Sequence, residues 1–292
     1  MPRKEGDFRE AVRVKEITGL GTVMMHLMPK RTDSEVFLQD TVDVTELARY
    51  LRAYNEAHPE EKVTVFHAVL AIIARVIRER PVLNRFIQGR LLYQRRKVSL
   101  SFVARRVFKD QSEESLMVLV PEDDDNLFSI ARKVRGDVKE MRRSEHSTGG
   151  IDKVLDLFAA LPRPLLMPAV GAIKALDFWG MVPDPISDGD PNYTSVLLSN
   201  LGSIKGPAVY HHLNNYGTCS IMITVGTVRQ ENVLQDDGTV VRREVLDIGA
   251  TIDERIGDGF YFIRSLRLLH HIAAHPELLE KELGENSGYD YH

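Results

Sequence analysis

At 292 residues, 43% of them hydrophobic and 27% charged, the chain has the make-up of a water-soluble globular protein with one large domain or two small ones. A formal net charge of -4 argues against general nucleic-acid binding, and a single cysteine, Cys219, excludes an internal disulfide and a cysteine-built metal site. The opening MPRKEGDFREAVRVKE lacks the apolar centre of a signal peptide, so a cytoplasmic protein is expected.

Residues 1–20 read as an N-terminal arm, its first dozen charged and without periodicity, mobile or docked on a partner. From Glu35 the run EVFLQDTVDVT is rich in β-branched and aromatic residues and predicts a strand. Thr45 stands where it can cap the next helix, along which Leu47, Leu51 and Tyr54 recur at helical spacing. A second helix is predicted over 65–79, with Val65, Val69, Ile72, Ile73, Val76 and Ile77 on a broad apolar face and Pro81 as its stop. Segments 91–93, 98–107 and 116–120 alternate like strands of a half-buried sheet, and the clusters Arg95-Arg96-Lys97 and Arg105-Arg106 fit solvated faces. The acidic run 122–125 opens a helix from Leu127 to about Met141, at the end where carboxylates complement the helix dipole.

The stretch 151–186 stands apart. Its core, VLDLFAALPRPLLMPAVGAIKALDFWGMVP, is apolar, punctuated by Pro162, Pro164 and Pro168, and too interrupted by Asp156, Arg163, Lys174 and Asp177 for a spanning helix. Two short helices joined by a proline turn are expected. Such a flap packs on its own core, caps a channel, docks a partner or rests shallowly on a membrane, with Phe178 and Trp179 as anchors. Strands follow at 195–198 and 219–228, and the turn Gln235-Asp236-Asp237-Gly238 leads into a strand over 240–251. A helix over 260–274 sets Phe262, Leu266, Leu269 and Ile272 on one face, and the polar tail 284–292 reads as frayed. No repeat is visible. The whole of 1–292 reads as a single α/β domain, a two-layer sandwich on a mixed β-sheet.

The chemistry is carried by Asp253-Glu254-Arg255-Ile256-Gly257-Asp258-Gly259. This stretch resembles the D-H-R-x-x-D-G signature of the catalytic domain of 2-oxo-acid dehydrogenase acyltransferases (dihydrolipoamide acyltransferases). It also resembles the H-H-x-x-x-D-G form of chloramphenicol acetyltransferases. Glu254 stands where both families have histidine. Further fragments resemble the dehydrogenase domain in the same order. They are VDVTEL at 42–47, Pro81-Val82-Leu83-Asn84 with Gly89 and Leu92-Tyr93, Leu119-Val120-Pro121 and Leu127-Phe128-Ser129-Ile130-Ala131. Ser199-Asn200-Leu201-Gly202, CSIMITVGTVRQ, the Asp237-Gly238 hairpin and HPELL at 275–279 follow. The resemblance runs over about 35–280 but leaves 151–186 without a counterpart.

It implies a chloramphenicol acetyltransferase-like, CoA-dependent acyltransferase fold and a homotrimer with each active site between two subunits. Coenzyme A or acyl-CoA would be a substrate, entering a channel opposite the acceptor, with no metal, and dehydrogenase-complex components would be further partners. No lipoyl group is expected on this chain: Asp152-Lys153 matches the lipoyl-lysine dipeptide but precedes an apolar helical pattern instead of sitting at a hairpin tip.

In the family the histidine removes the proton from a thiol or hydroxyl as it attacks a thioester, with a pKa close to the working pH. A glutamate at that position starts from about 4.3 against about 6.5, a deficit of roughly 3 kcal/mol in driving force that burial can partly restore. Glu254 is therefore either a handicapped base or a residue that orients a ligand. By the same resemblance Ser199 donates a hydrogen bond to the tetrahedral oxyanion, across the interface from the base; a serine closing a strand end with a local bond is the alternative. Asp258 supports the motif loop by pairing with an arginine, Arg31 or Arg255, and Gly257 and Gly259 allow a tight turn. Asn200, His211 and His212 are candidate substrate-binding residues, and either histidine is a candidate replacement base. Adjacent residues on a strand point to opposite faces, which argues against both binding one ion. His67, inside an apolar helix, reads as a core or interface residue, and His270 and His271 on the last helix read as ordinary packing or surface residues.

Two functions follow. One is an acyltransferase moving an acyl group from a thioester to a small acceptor, with catalysis altered by Glu254. The other is a catalytically inactive trimeric scaffold or acyl-CoA-binding module. A hydrolase or condensation-type enzyme is a third and weaker fit, because the chain lacks a carrier domain.

Overall fold

The computed structural model describes residues 11–105, 114–143, 158–187 and 189–291. Among these, a short strand β1 (Ala11–Arg13) and helix α1 (Gly19–Leu27) precede β2 (Glu35–Asp43), α2 (Thr45–Ala57) and α3 (Val65–Glu79). Next come β3 (Arg85–Gln88), β4 (Leu91–Arg95), β5 (Leu100–Arg105), β6 (Glu114–Leu119), α4 (Leu127–Arg143) and α5 (Arg163–Phe178). The last third holds β7 (Val196–Asn200), β8 (Ile221–Val225), β9 (Arg229–Leu234), β10 (Val240–Asp253) and α6 (Gly259–Ala274).

Seven strands form one sheet in the order β2-β10-β8-β7-β5-β6, with β9 beside the first part of β10. The pairs β5–β7 and β7–β8 are parallel and the others antiparallel, which makes the sheet mixed, as expected. Alternation along the strands sorts the two faces. Leu38, Leu198, Ile223 and Ala250 share one face, while Gln39, Ser199, Thr224 and Gly249 share the other. Helices α3 and α6 cover the apolar face, laying Ile73, Val76, Ile77, Phe262 and Leu269 over Ile221, Ile248, Ala250 and Ile252. The arrangement is two-layered, helices on one side of a sheet.

Several local expectations are corrected. Thr45 lies inside the helix it was expected to cap, because its hydroxyl is engaged sideways, donating to Asp43 Oδ1 at 2.6 Å and accepting from Glu244 N at 2.9 Å. Asn126, not the acidic run, caps α4: its Oδ1 accepts from Phe128 N and Ser129 N, both at 3.0 Å. Asp125 turns inward instead, onto Ser129 Oγ at 2.7 Å and Lys133 Nζ at 2.5 Å. β9 has no apolar alternation of its own and forms because the turn at Gly238 folds it against β10. Strand residues 106–107, and Asp152-Lys153 of the apolar stretch, lie outside the described residues.

The described parts of both terminal segments are more firmly attached than their composition suggests. Within the N-terminal arm, β1 pairs with β4, and Ala11 is fully buried. The tail is docked, not frayed. Ser287 donates from Oγ to Glu79 Oε2 at 2.6 Å and from N to Glu79 Oε1 at 2.9 Å, and Tyr289 and Tyr291 pack on the core. The anchor is Arg75, fully buried in the middle of α3. Its guanidinium donates to Glu285 O at 2.7 Å, Lys281 O at 2.7 Å and Glu282 O at 3.1 Å. In the apolar stretch, helical residues 158–159 give way to a turn at Leu161-Pro162 and α5 follows, running through Pro168; residues 151–157 lie outside the described residues.

Candidate active site

The motif residues are placed by the end of β10. Asp253 is fully buried, and its carboxylate accepts from Arg255 Nε at 2.8 Å, Arg255 Nη2 at 2.6 Å, Ser34 Oγ at 2.9 Å and Arg255 N at 3.2 Å. Arg255 also donates from Nη1 to Met28 O at 2.6 Å, which ties the loop to the end of α1. Glu254 donates its backbone N–H to Ser34 O at 2.9 Å. Both neighbours of Glu254 are thus locked inward. Its own side chain is exposed and unpaired among the described residues.

Asp258 has a structural role, but not the expected one. Its Oδ1 caps α6 by accepting from Tyr261 N at 2.7 Å. Arg255 is spent on Asp253. Arg31 is buried and donates to Ile87 O at 2.9 Å, Gly217 O at 2.5 Å and Asn214 O at 3.3 Å. Burial pushes the Arg31 guanidinium down, with Asp253 opposing the shift. Gly257 is extended, not turned; a side chain there would meet Val82 Cγ1 at 2.8 Å, so packing sets the need for glycine. Nothing crowds Gly259.

Ser199 stands elsewhere on the sheet. It is half-buried at the end of β7, opposite Thr224 of β8, which is opposite Gly249 of β10. Glu254 is five residues beyond Gly249, so the two sites are separated by roughly 16 Å along the strands and roughly 10 Å across two of them. A single chain does not bring them onto one acyl group. The turn after Ser199 is held by Asn200, whose Oδ1 accepts from Ser203 N at 3.2 Å and whose O accepts from Ser203 Oγ at 2.8 Å. Gly202 lets that turn sit against β8: a Cβ there would fall 2.3 Å from Gly226 O.

The connection from β7 to β8 returns over the polar face of the sheet. Val209 N donates to Thr224 Oγ1 at 3.0 Å, Tyr210 packs on Phe37 with ring centroids 5.3 Å apart, and Leu213 N donates to Glu35 Oε1 at 2.6 Å. Glu35 is the β2 partner of Asp253, so His211 and His212 arrive at the Glu254 end of the sheet. They are not on a strand. Their exposed rings stack, with centroids 4.7 Å apart, where a strand would have put them on opposite faces. His211 Nδ1 bonds His212 O at 3.0 Å. Among the described residues no group of three or more His, Cys, Asp and Glu is placed to hold a metal ion.

The remaining candidates are structural. Cys219 is buried, and burial pushes its thiol up, away from nucleophilic use. His67 shares a reciprocal cap with Thr64, its Nδ1 accepting from Thr64 N at 3.2 Å, and burial pushes its ring down to about 4. His270 pairs with Asp40 at 2.6 Å across α6 and β2, which raises the imidazole and lowers the carboxylate. Arg95, expected on a solvated face, instead donates to Thr194 O at 3.0 Å and to Thr218 O at 2.9 Å and Oγ1 at 2.7 Å. Sequence reasoning missed Asp253 as the pivot of the site. The signal was available in the alternation of β10, which sends Asp253 to the same face as Gly249 and Thr251.

These features define the class: a mixed-sheet, two-layer fold of the CoA-dependent acyltransferase type. More particularly, it is the fold of dihydrolipoamide acetyltransferase catalytic cores, and comparison with solved structures shows it. A probable dihydrolipoamide acetyltransferase of Listeria monocytogenes superposes with a TM-score of 0.59 at 15% identity, over 99% of this chain and 100% of that one. The dihydrolipoamide acetyltransferase of Azotobacter vinelandii gives 0.60 at 17% identity, over 92% and 95%. The truncated catalytic core of the 2-oxoacid dehydrogenase multienzyme complex of Thermoplasma acidophilum gives 0.56 at 16% identity, over 90% and 98%. No family model and no curated protein sequence matches the chain.

Proposed function

We propose that the chain is a CoA-dependent acyltransferase that works as a homotrimer, each site formed by Ser199 of one copy and the Glu254 end of the next. The observation that carries this reading is the separation of Ser199 from Glu254 on a single sheet, with Glu254 exposed, in a fold shared with acyltransferase cores. A serine, a histidine and an asparagine are named in the catalytic mechanism of the Azotobacter protein, which supports a serine at the site, while this chain has Glu254 and not a histidine.

A base at the Glu254 end, Glu254 itself or one of His211 and His212, takes the proton of an acceptor thiol or hydroxyl. The acceptor forms a bond to the thioester carbonyl carbon, and Ser199 Oγ donates to the resulting oxyanion. The adduct collapses, the carbon–sulfur bond breaks, and the coenzyme A thiolate leaves with the proton. Asn200 steadies the serine end through its cap and keeps its amide nitrogen for the substrate.

Steady-state transfer from acetyl-CoA and longer acyl-CoAs tests the proposal. Ser199→Ala is expected to lower the rate about 100- to 1000-fold. Full activity in both Ser199→Ala and Glu254→Gln would remove the site.

One observation favours a second reading, an acyl-CoA-binding or scaffold trimer that assembles with dehydrogenase components. It is the carboxylate at the position of the base, a residue type about two pKa units less basic than imidazole. Glu254→His separates the two: transferase activity appearing only in that variant means the channel persists and only the base was lost.

A further inference from the structure

Helix α5 breaks the rule that a surface helix turns a polar face to water. Leu166, Ala169, Ile173 and Leu176 recur at helical spacing and are half-buried, so they form its inward side. The outward side is also apolar. Leu165 is 57% exposed, Met167 77% and Val170 38%, and beyond the helix end Trp179 is 71% and Met181 58% exposed.

The helix is held in this posture by its last turn. Asp177, buried, accepts from Tyr193 Oη at 2.6 Å and Gly217 N at 3.1 Å, and Gln88 donates to its carbonyl. Gly89, with φ +57, lets the β3–β4 turn press close, 2.8 Å separating a would-be Cβ from Phe178 O.

The exposed charges of the helix itself have one sign, and the nearest exposed acid along the chain, Asp184, lies beyond Met181. Arg163 and Lys174 are exposed, Arg90 follows Gly89 on the abutting turn, and the sole acid of the helix, Asp177, is buried. Sixteen residues span about 24 Å, less than the roughly 30 Å hydrocarbon core, and no helix among the described residues is long and apolar enough to cross a membrane.

We propose that α5 lies in the plane of an anionic membrane surface, with Leu165, Met167, Phe178 and Trp179 entering the lipid and Arg90, Arg163 and Lys174 meeting the headgroups. Apolar burial supplies the hold, and the cationic rim selects negatively charged lipid.

Trp179 is the only tryptophan, so its emission reports on this face alone. The full chain is titrated with phosphatidylcholine vesicles and with vesicles that also contain phosphatidylglycerol. The expected result is a blue shift and weaker acrylamide quenching with the anionic vesicles only, reversed by salt. Lys174→Ala is expected to weaken binding roughly fivefold. Met167→Glu should abolish binding while leaving the melting temperature unchanged, and if that variant fails to fold, the wild-type emission alone decides. Emission unchanged by both vesicles, or shifted equally by both, overturns the proposal. So does a lipid-free blue shift that grows with protein concentration, which would assign the face to a second copy of the chain.

Discussion

Glu254 owes its position to residues other than itself. Asp253 and Arg255 on either side turn inward and bond each other, and Ser34 fastens both the Asp253 carboxylate and the Glu254 backbone. A charge buried in this way is tolerated because every partner is present, whereas His67 at the start of α3 is accommodated by being kept neutral. Its ring is 8% exposed and pushed down to about 4 by burial, with Arg135 adding to the shift. The unfolded chain therefore binds the extra proton first as pH falls below the ordinary histidine value, and stability drops between about 6.5 and about 4. The loss should reach about 3 kcal/mol at its largest. Urea melts of the wild type and of His67→Asn across that range should converge toward acid, the variant showing the flatter profile; parallel profiles would mean that His67 is not the group responsible.

At the level of elements, α3 does more than cover the sheet. Its apolar positions seat it on the sheet, while Arg75, on the same helix, collects three carbonyls from 281–285 and brings the tail within reach of Glu79. The Glu79 side chain is 7% exposed and takes both donors of Ser287. Ser287→Ala leaves that carboxylate short of a partner and should cost about 1–3 kcal/mol in chemical denaturation, an unusual sensitivity for a residue so near the chain end. A cost within experimental error would show that the tail is not held by this bond. The helices and most strands were legible from periodicity because burial on one face imposes it. The tail and β9 were not, because what holds them is a side chain or a strand distant in sequence.

For the molecule as a whole, the layout of the sheet bears on the proposed assembly. Ser199 and Glu254 lie at opposite ends of the polar face, so a site using both needs two copies. With Glu254 as the base, mixing Ser199→Ala with Glu254→Gln protomers, each impaired alone, should restore activity in about a quarter of the sites at equal ratio, since closed symmetric oligomers build identical interfaces. No recovery after co-refolding would overturn a site shared between copies. The exposed apolar side chains of α5 add a second surface, set by Asp177 and its partners at the helix end.

The order of strands and helices, the apolar faces and the motif around Glu254 were readable in the linear chain, since each depends on neighbours a few residues apart. Folding alone brought Asp253 onto Ser34, set His211 and His212 at the Glu254 end, and spent Arg31 on carbonyls where an aspartate had been expected. Those contacts join residues as many as 219 positions apart, where no local period or propensity reaches, and only the paired register of the sheet fixes which of them meet.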